Sequence, residues 1–469
     1  MKKIRFICLI LCLCFILQWA IIPASAQIEE DKTVTNGAHT LQAHAPLLGT
    51  DRLTGNVKSA LVFEVNSETL MYAYHADDKL SPASFVKILT ALIVAETADL
   101  DAMVTVTEQV LNTISYDAVN ADLKSGEILS VRDLLYCMMV GSANDAAAVL
   151  ADYCLGSQAA FVEQMNVYAA NLGCENTYFT NVHGLHDDNQ YTTARDVARI
   201  LSHAVKNKTF CEVFEATRYI VPATNLSKSR DLITGNYMMN QNQDSVEIYY
   251  DSRVTGGRTG VDSNRERCIA VTAKQNGMYL VSIVMGSASV YAEDNVTVLS
   301  FGSYKETSKL LDAAFENKRC VQILSAGQVV SQYRVNNAGN DLVLGVKDNV
   351  WAVLQEQTQT EELIYRYQHQ NQLIAPIAKD SHISDLEIWH NGICVAQVPL
   401  YAMNAITDIS SQPYLEENKV IDDFNWLWFV VVFLIIAVCA IALFVVIRMR
   451  AVSIRNNARK QRIPTRRSR

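Results

Sequence analysis

The chain has 469 residues, 50% of them hydrophobic and 19% charged, with a net charge of −9 at neutral pH. Nine basic residues follow position 447 and three precede position 6, so the stretch between them carries −21. A body this acidic argues against nucleic acid or an anionic membrane face as its ligand, and its length implies two domains.

The chain opens with Lys2, Lys3 and Arg5, an apolar run from Phe6 to Ile22, and the small residues Pro23-Ala24-Ser25-Ala26. These are the zones of an export signal over 1–26, cleaved before Gln27; an uncleaved anchor helix is the alternative. Residues 27–50 are polar and mixed, and read as a linker. Two strands are predicted over 59–65 and 69–74, around Asn66-Ser67-Glu68. From 84 to 97 the pattern turns helical and is apolar nearly all round, as in a buried helix. Residues 98–205 read as mostly helical, with breaks at Gly141, Gly156 and Gly173, and strands return from Tyr219. One strand is predicted over 253–258; two more, over 269–273 and 278–285, flank the tight-turn signal Gln275-Asn276-Gly277. An amphipathic helix is predicted over 305–315.

After Lys318 the texture changes to short strands, over 321–324, 329–335, 342–346, 351–353 and 387–398. They predict a small all-β module over 319–405. Residues 406–425 read as a stalk. From Trp426 to Ile447 there are 22 residues without a charge, enough to span a hydrocarbon core, with Trp426 and Trp428 at one edge. The tail 448–469 is basic and free of acids, which predicts a cytoplasmic tail, a single membrane crossing and a body on the extracytoplasmic side. Of eleven cysteines, Cys8, Cys12 and Cys14 fall in the signal and Cys439 in the apolar segment. The other seven are odd in number and lack CxxC spacing, so neither a disulfide framework nor a zinc ribbon is indicated.

Three short motifs carry the chemistry. Ser84-Phe85-Val86-Lys87 is the chain's sole Ser-x-x-Lys, and it sits at the mouth of the predicted buried helix. A helix N-terminus favours negative charge developing on the serine oxygen, and a three-residue step puts the lysine amine on the same face. A desolvated lysine near another cation gives up its proton readily and can serve as a base. The competing reading is a capping serine followed by a surface lysine. Gly141-Ser142-Ala143-Asn144-Asp145 interrupts two helical runs and can aim a hydroxyl and an amide into a cleft; a plain helix-capping turn is the alternative. Arg258-Thr259-Gly260 closes the strand over 253–258, where a cation and a hydroxyl suit a terminal carboxylate and the glycine lets a peptide approach. Its alternative is a turn with a solvated arginine. His183 and His186 stand three apart, as metal ligands can, but no third ligand is apparent and no metal is expected.

In this order the motifs resemble the signature of penicillin-binding proteins and class A β-lactamases. The chain is similar to D-alanyl-D-alanine carboxypeptidases of the low-molecular-mass penicillin-binding class. The likeness extends to Pro82-Ala83-Ser84-Phe85-Val86-Lys87-Ile88-Leu89-Thr90, to Asn181-Val182-His183-Gly184-Leu185 and to Tyr191-Thr192-Thr193-Ala194. It covers about residues 45–318, more weakly the β module. It implies an α+β fold: a β-lactamase/transpeptidase-like αβα sandwich with a helical lobe over 51–318, ahead of the small β domain and the transmembrane helix. It also implies that Ser84 is the acylated nucleophile, Lys87 its base, and Ser142 and Asn144 a second catalytic element. Arg258, Thr259 and Gly260 would bind the substrate carboxylate and backbone, and the N–H groups of Ser84 and Val261 would form the oxyanion hole. The implied activity is removal of the terminal D-alanine from peptidoglycan stem pentapeptides without a cofactor, with β-lactam antibiotics as ligands. A D,D-endopeptidase, a β-lactamase and a catalytically weak wall-binding protein are the alternatives on the same fold. Two departures stand out: Arg258 replaces the family's usual lysine, and Asp262 stands where a threonine is common. The arginine usual before the helix near Lys305 is also missing.

Overall fold

The computed structural model describes residues 47–49, 52–53, 55–241, 248–294, 297–367 and 373–408, with 434–436, 441 and 448. The predicted export signal, most of the linker and stalk, and nearly all of the apolar segment and basic tail lie outside the described residues. Among the described residues, no helix is long and apolar enough to cross a membrane.

The elements that position the chemistry are, in chain order, β1 (Ser59–Glu64), β2 (Thr69–Tyr74), α1 (Val86–Thr97), α2 (Val131–Met139), α3 (Asn144–Leu155), α4 (Ala194–Ala204), β3 (Val254–Val261), β4 (Arg267–Gln275), β5 (Met278–Ser287) and α5 (Gly302–Phe315). The five strands form one antiparallel sheet in the order β2-β1-β5-β4-β3, which leaves β3 on an edge. Side chains alternate across such a sheet, and each face has its own core. Ala270, Val281 and Ile283 pack toward α1, α2, α3 and α4, whereas Ile269, Val271 and Val284 pack toward Leu310, Leu311 and Phe315 of α5. The result is an αβα sandwich.

Helix α1 is the axis of the helical lobe. All nine residues from Val86 to Val94 are buried, Lys87 among them, and only the last turn, at Glu96 and Thr97, reaches solvent. Its entry is a 3-10 turn over Ala83–Phe85 preceded by Pro82, with no side-chain cap. The N–H groups of Phe85 and Val86 are taken up within the turn, by the carbonyls of Pro82 and of Ala83 and Ser84. Helices α2 and α4 are capped locally: Ser130 Oγ accepts from Asp133 N at 3.0 Å, and Thr193 Oγ1 from Asp196 N at 3.1 Å.

The β module contains β6 (Lys318–Leu324), β7 (Val329–Tyr333), β8 (Leu342–Gly345), β9 (Val350–Gln355), β10 (Ile364–Tyr367), β11 (His382–His390) and β12 (Ile393–Ala402). β6 pairs with β9, and the others form a five-stranded antiparallel sheet in the order β7-β8-β12-β11-β10. Leu324, Ala352 and Leu354 of the ribbon share one core with Leu344, Leu386 and Leu400 of the sheet.

Three expectations are corrected here. The single strand predicted over 387–398 is a hairpin, because Asn391 and Gly392 both take positive φ (49° and 78°) and turn the chain. The largely helical stretch 98–205 also holds a strand pair, Met103–Thr105 with Ile128–Ser130. The Arg258-Thr259-Gly260 motif lies inside β3, because pairing with β4 continues to Val261↔Arg267. Truncating Leu92, fully buried in α1, should cost about 2–5 kcal/mol in urea unfolding, while the same change at the 41% exposed Leu299 should stay within roughly 0.5 kcal/mol.

Candidate active site

The three motifs converge at one end of α1, between the helical lobe and β3. The Lys87 side chain is fully buried. Its Nζ donates to Asn144 Oδ1 at 2.7 Å and to the His183 carbonyl at 2.5 Å. Asn144 opens α3 and is oriented in turn: its Nδ2 and its main-chain N both donate to the Val119 carbonyl at 2.8 Å. Since the amide spends its N–H side on Val119, the oxygen is what faces the lysine.

Arg258 binds the groups together. Its Nη2 donates to Ser142 Oγ at 2.6 Å, its Nη1 to the Met139 carbonyl at 2.9 Å and its Nε to the Ser84 carbonyl at 3.4 Å. One guanidinium thus ties β3 to the end of α2, to the Ser142 turn and to the 3-10 turn at Ser84. A lysine ammonium could not span these three acceptors, because its donors radiate from one atom.

Two glycines permit the close contacts. Gly184 has φ +87°, and a Cβ there would lie 1.9 Å from the Ala83 carbonyl oxygen. A Cβ on Gly260 would lie 2.9 Å from Ser84 N and 2.8 Å from Cys268 Sγ. The strand and the 181–185 loop therefore press on Ser84 from two sides, at distances only glycine allows. Strain collects here as well: Ala83 and Ser142 hold positive φ (43° and 62°), each costing on the order of 1–3 kcal/mol.

Ser84 and Ser142 are half-buried, as residues lining a cleft should be. Thr259 is half-buried and Val261 is 49% exposed; both alternate to the strand face opposite Arg258. The structure therefore brings Ser84, Lys87, Ser142, Asn144, Arg258 and Gly260 together, with Thr259 and Val261 along the same edge strand. Asp262 lies just past it, in the β3–β4 turn, where its Oδ1 accepts from Asn264 N at 2.9 Å and Glu266 N at 2.8 Å. Arg265 and Arg267 sit over the rings of Tyr291 and Phe301, at 4.3 and 4.4 Å.

The electrostatics follow from burial. Desolvation pulls the Lys87 amine well below its ordinary range, the Arg258 charge pushes the same way, and Asp145 opposes them. Desolvation also lowers Arg258, to about 10, which leaves it charged at neutral pH. His183 is lowered to about 3, by burial first and the Lys87 charge second, and its Nδ1 accepts from Leu185 N at 3.2 Å. His186 lies 3.2 Å from Asp188.

The residues that the motifs left out are mainly backbone acceptors. The carbonyls of Val119, Met139 and His183 have no side-chain signature in the sequence. Asp145 does have one, as an acid in the first turn of α3, and its carboxylate turns out to be an anchor.

A half-buried serine at the entry of a buried helix, a buried amine three residues along and a free edge strand are the parts found in serine hydrolases of the penicillin-binding type. Residues 47–289 match the D-alanyl-D-alanine carboxypeptidase family of peptidases, and 319–408 match the C-terminal domain of penicillin-binding protein 5. The chain belongs to the D-alanyl-D-alanine carboxypeptidase family. It is 25% identical to the carboxypeptidase DacF of Bacillus subtilis over 357 residues, covering 75% of this chain and 86% of the relative. It is 33% identical to the D-alanyl-D-alanine carboxypeptidase of Streptomyces sp. K15 over 245 residues, covering 50% of this chain and 82% of that one. Penicillin-binding protein 5 from Haemophilus influenzae superposes with a TM-score of 0.65 at 27% identity, over 76% of this chain and 100% of its own.

His183 makes stability depend on pH. The native ring stays neutral down to about pH 3, whereas in the unfolded chain it takes up a proton near its ordinary pKa of about 6.5. The unfolded state binds more protons in that window, so stability falls as pH falls through it. Between pH 7 and 4, the melting temperature should drop more steeply for the wild type than for His183→Gln, as differential scanning fluorimetry would show.

Proposed function

We propose that the chain is a serine-type D-Ala-D-Ala carboxypeptidase that trims peptidoglycan stem pentapeptides through a Ser84 acyl-enzyme and binds penicillin at the same serine. The observation that carries the reading is the state of Lys87. A neutral amine has two N–H bonds and one lone pair. The two N–H bonds have acceptors in Asn144 Oδ1 and the His183 carbonyl, so the lone pair is what remains to receive a proton. Burial and the Arg258 charge favour that neutral form.

The steps follow. The Ser84 hydroxyl passes its proton to Lys87 as its oxygen attacks the carbonyl between the two terminal D-alanines. The oxyanion is held by the N–H groups of Ser84 and Val261. The C–N bond then breaks, and Lys87 passes the proton it received to the leaving D-alanine nitrogen through Ser142, which lies 2.6 Å from Arg258. Water attacks the ester and gives a proton to Lys87, which hands it to Ser84 Oγ as the ester C–O bond breaks and the shortened peptide leaves. The peptide lies along the free edge of β3, with its terminal carboxylate near Thr259 and the Arg258 charge.

Two observations weigh against a catalytically dead relative. Arg258 keeps its charge and directs a hydrogen bond to Ser142, and the Asp262 carboxylate accepts two amides of its own turn. Fluorescent penicillin should label the wild-type chain covalently and leave Ser84→Ala unlabelled. An assay of D-alanine released from a pentapeptide, run beside penicillin hydrolysis and cross-linked dimer cleavage, then separates carboxypeptidase from β-lactamase and endopeptidase. A wild-type chain that takes no label would remove the acyl-enzyme reading.

The charge pattern supports a topology around this chemistry: signal 1–26, linker 27–50, peptidase domain 51–318, β domain 319–405, stalk 406–425, membrane helix 426–447 and cytoplasmic tail 448–469. Such a tether would keep an enzyme within reach of an insoluble wall. A chain truncated after residue 425 is expected to leave the membrane fraction for the soluble one. Retention in membranes would count against the anchor.

A further inference from the structure

The helix that begins at Asn144 carries a second buried polar residue that the catalytic steps do not use. Asp145 is 4% exposed, and its side chain points away from the substrate edge, into the loop that precedes α2. Its Oδ1 accepts from Ala121 N at 2.9 Å and from Ala146 N at 2.8 Å. Its Oδ2 accepts from Leu123 N and Ala121 N, both at 3.1 Å. Burial raises the Asp145 pKa above the ordinary carboxylate value, and the N–H donors of Ala121, Leu123 and Ala146 oppose that rise by favouring the ionised form. Tyr116 and Val119 are 94% and 57% exposed and only the small Ala118 and Ala121 pack against the core, so polar contacts carry much of the 115–121 stretch. Asn120 supplies two of them, its Oδ1 accepting from Asp145 N at 3.3 Å and its Nδ2 donating to the Ser115 carbonyl at 3.1 Å. A second polar clamp comes from the other side: Arg230 Nε donates to the Ala121 carbonyl at 2.8 Å, while its Nη1 and Nη2 pair with the buried Glu127 at 2.8 and 3.0 Å.

We propose that Asp145 is a positioning residue for acylation: its carboxylate pins the 119–123 loop so that the Val119 carbonyl holds the Asn144 amide with its oxygen on Lys87. The chain of contacts is continuous. Asp145 fixes Ala121 and Leu123; two residues before Ala121, the Val119 carbonyl accepts both N–H groups of Asn144 at 2.8 Å; Asn144 Oδ1 then accepts from Lys87 at 2.7 Å. Without the Val119 carbonyl the amide is free to rotate and donate its NH2 to the amine's lone pair, which would then be unable to receive the serine proton. The inference rests on the acyl-transfer reading for its rate effect, but not for its geometry.

Asp145 also acts on Lys87 through charge. Three titratable groups face the amine from the elements around it: Arg258 from β3, Asp145 from α3 and the neutral His183 from the 181–185 loop. Asp145 favours the protonated form of Lys87 and Arg258 disfavours it. Removing the carboxylate charge therefore moves Lys87 further toward the free amine.

Asp145→Asn tests both parts. Acylation by fluorescent penicillin should slow roughly ten- to a hundred-fold, as for a small misplacement of a catalytic group, and the acid limb of its pH profile should move to lower pH. A merely loosened fold would let water reach Lys87 and move that limb to higher pH. An unchanged rate, or a limb that stays or moves upward, overturns the proposal. Arg230→Gln, which frees the Ala121 carbonyl and leaves the Asp145 charge intact, should slow acylation without moving the limb. If Asp145→Asn does not fold, wild-type acylation in Arg230→Gln overturns the proposal in its place. Titration of Lys87 by NMR in labelled wild type and Asp145→Asn reads the charge effect directly. It stands even if the wild type takes no penicillin, an outcome that would remove the acyl-enzyme reading alone.

Discussion

Two cations share one buried pocket, and the rest of the site depends on how that conflict is resolved. Lys87 and Arg258 are both out of water, and neither faces a carboxylate in direct contact. Burial and the neighbouring Arg258 charge both disfavour a charged Lys87, and Asp145 opposes them. Arginine holds its proton far more tightly than lysine, so the pull toward the neutral form falls on Lys87. Having arginine in the third motif makes that asymmetry sharper than a second lysine would. The departure from the family's usual lysine at Arg258 therefore adds to the pull that draws the Lys87 amine toward its neutral form.

The second condition is rigidity, and it is supplied by main-chain atoms. The carbonyls of Ser84, Val119, Met139 and His183 accept from Arg258, Asn144 and Lys87, so each catalytic side chain is bolted to backbone from a different element. Gly184 and Gly260 let those elements close to distances that a methyl group would forbid. The positive φ at Ala83 and Ser142 is the conformational cost of aiming the two hydroxyls into one cleft. That strain is offset by α1, whose buried run from Val86 to Val94 anchors the helix from which the site is built.

Much of the fold was legible where local chemistry is decisive. Asn276-Gly277 marks a hairpin that the structure contains, because positive φ is available at both positions. The same signal at Asn391-Gly392 lay inside a run of alternating residues, where the strand period masked it and the segment read as one strand. The strand pair at 103–105 and 128–130 was illegible for a different reason: each strand is three residues long, too short for any period to register. The third motif closes the strand predicted over 253–258, but tertiary pairing with β4 carries that strand three residues further, to Val261.

The sequence by itself determined which chemistry was possible: a hydroxyl three residues before an amine at the start of an apolar helix, a Ser-x-Asn turn and a cation in an edge segment, because those depend on residue type and short spacing. It could not determine which group would be charged, since that is a matter of burial and of neighbours 57 to 174 positions apart in the chain. Nor could it assign the acceptors, because a carbonyl oxygen is the same at every residue and only folding selects the ones that face the site. What tertiary structure decided was therefore the burial that lowers the Lys87 pKa, the use of Arg258 as a clamp and the turning of Asp145 toward the loop. All three arise from distance and exclusion of water, and neither is written in the order of residues.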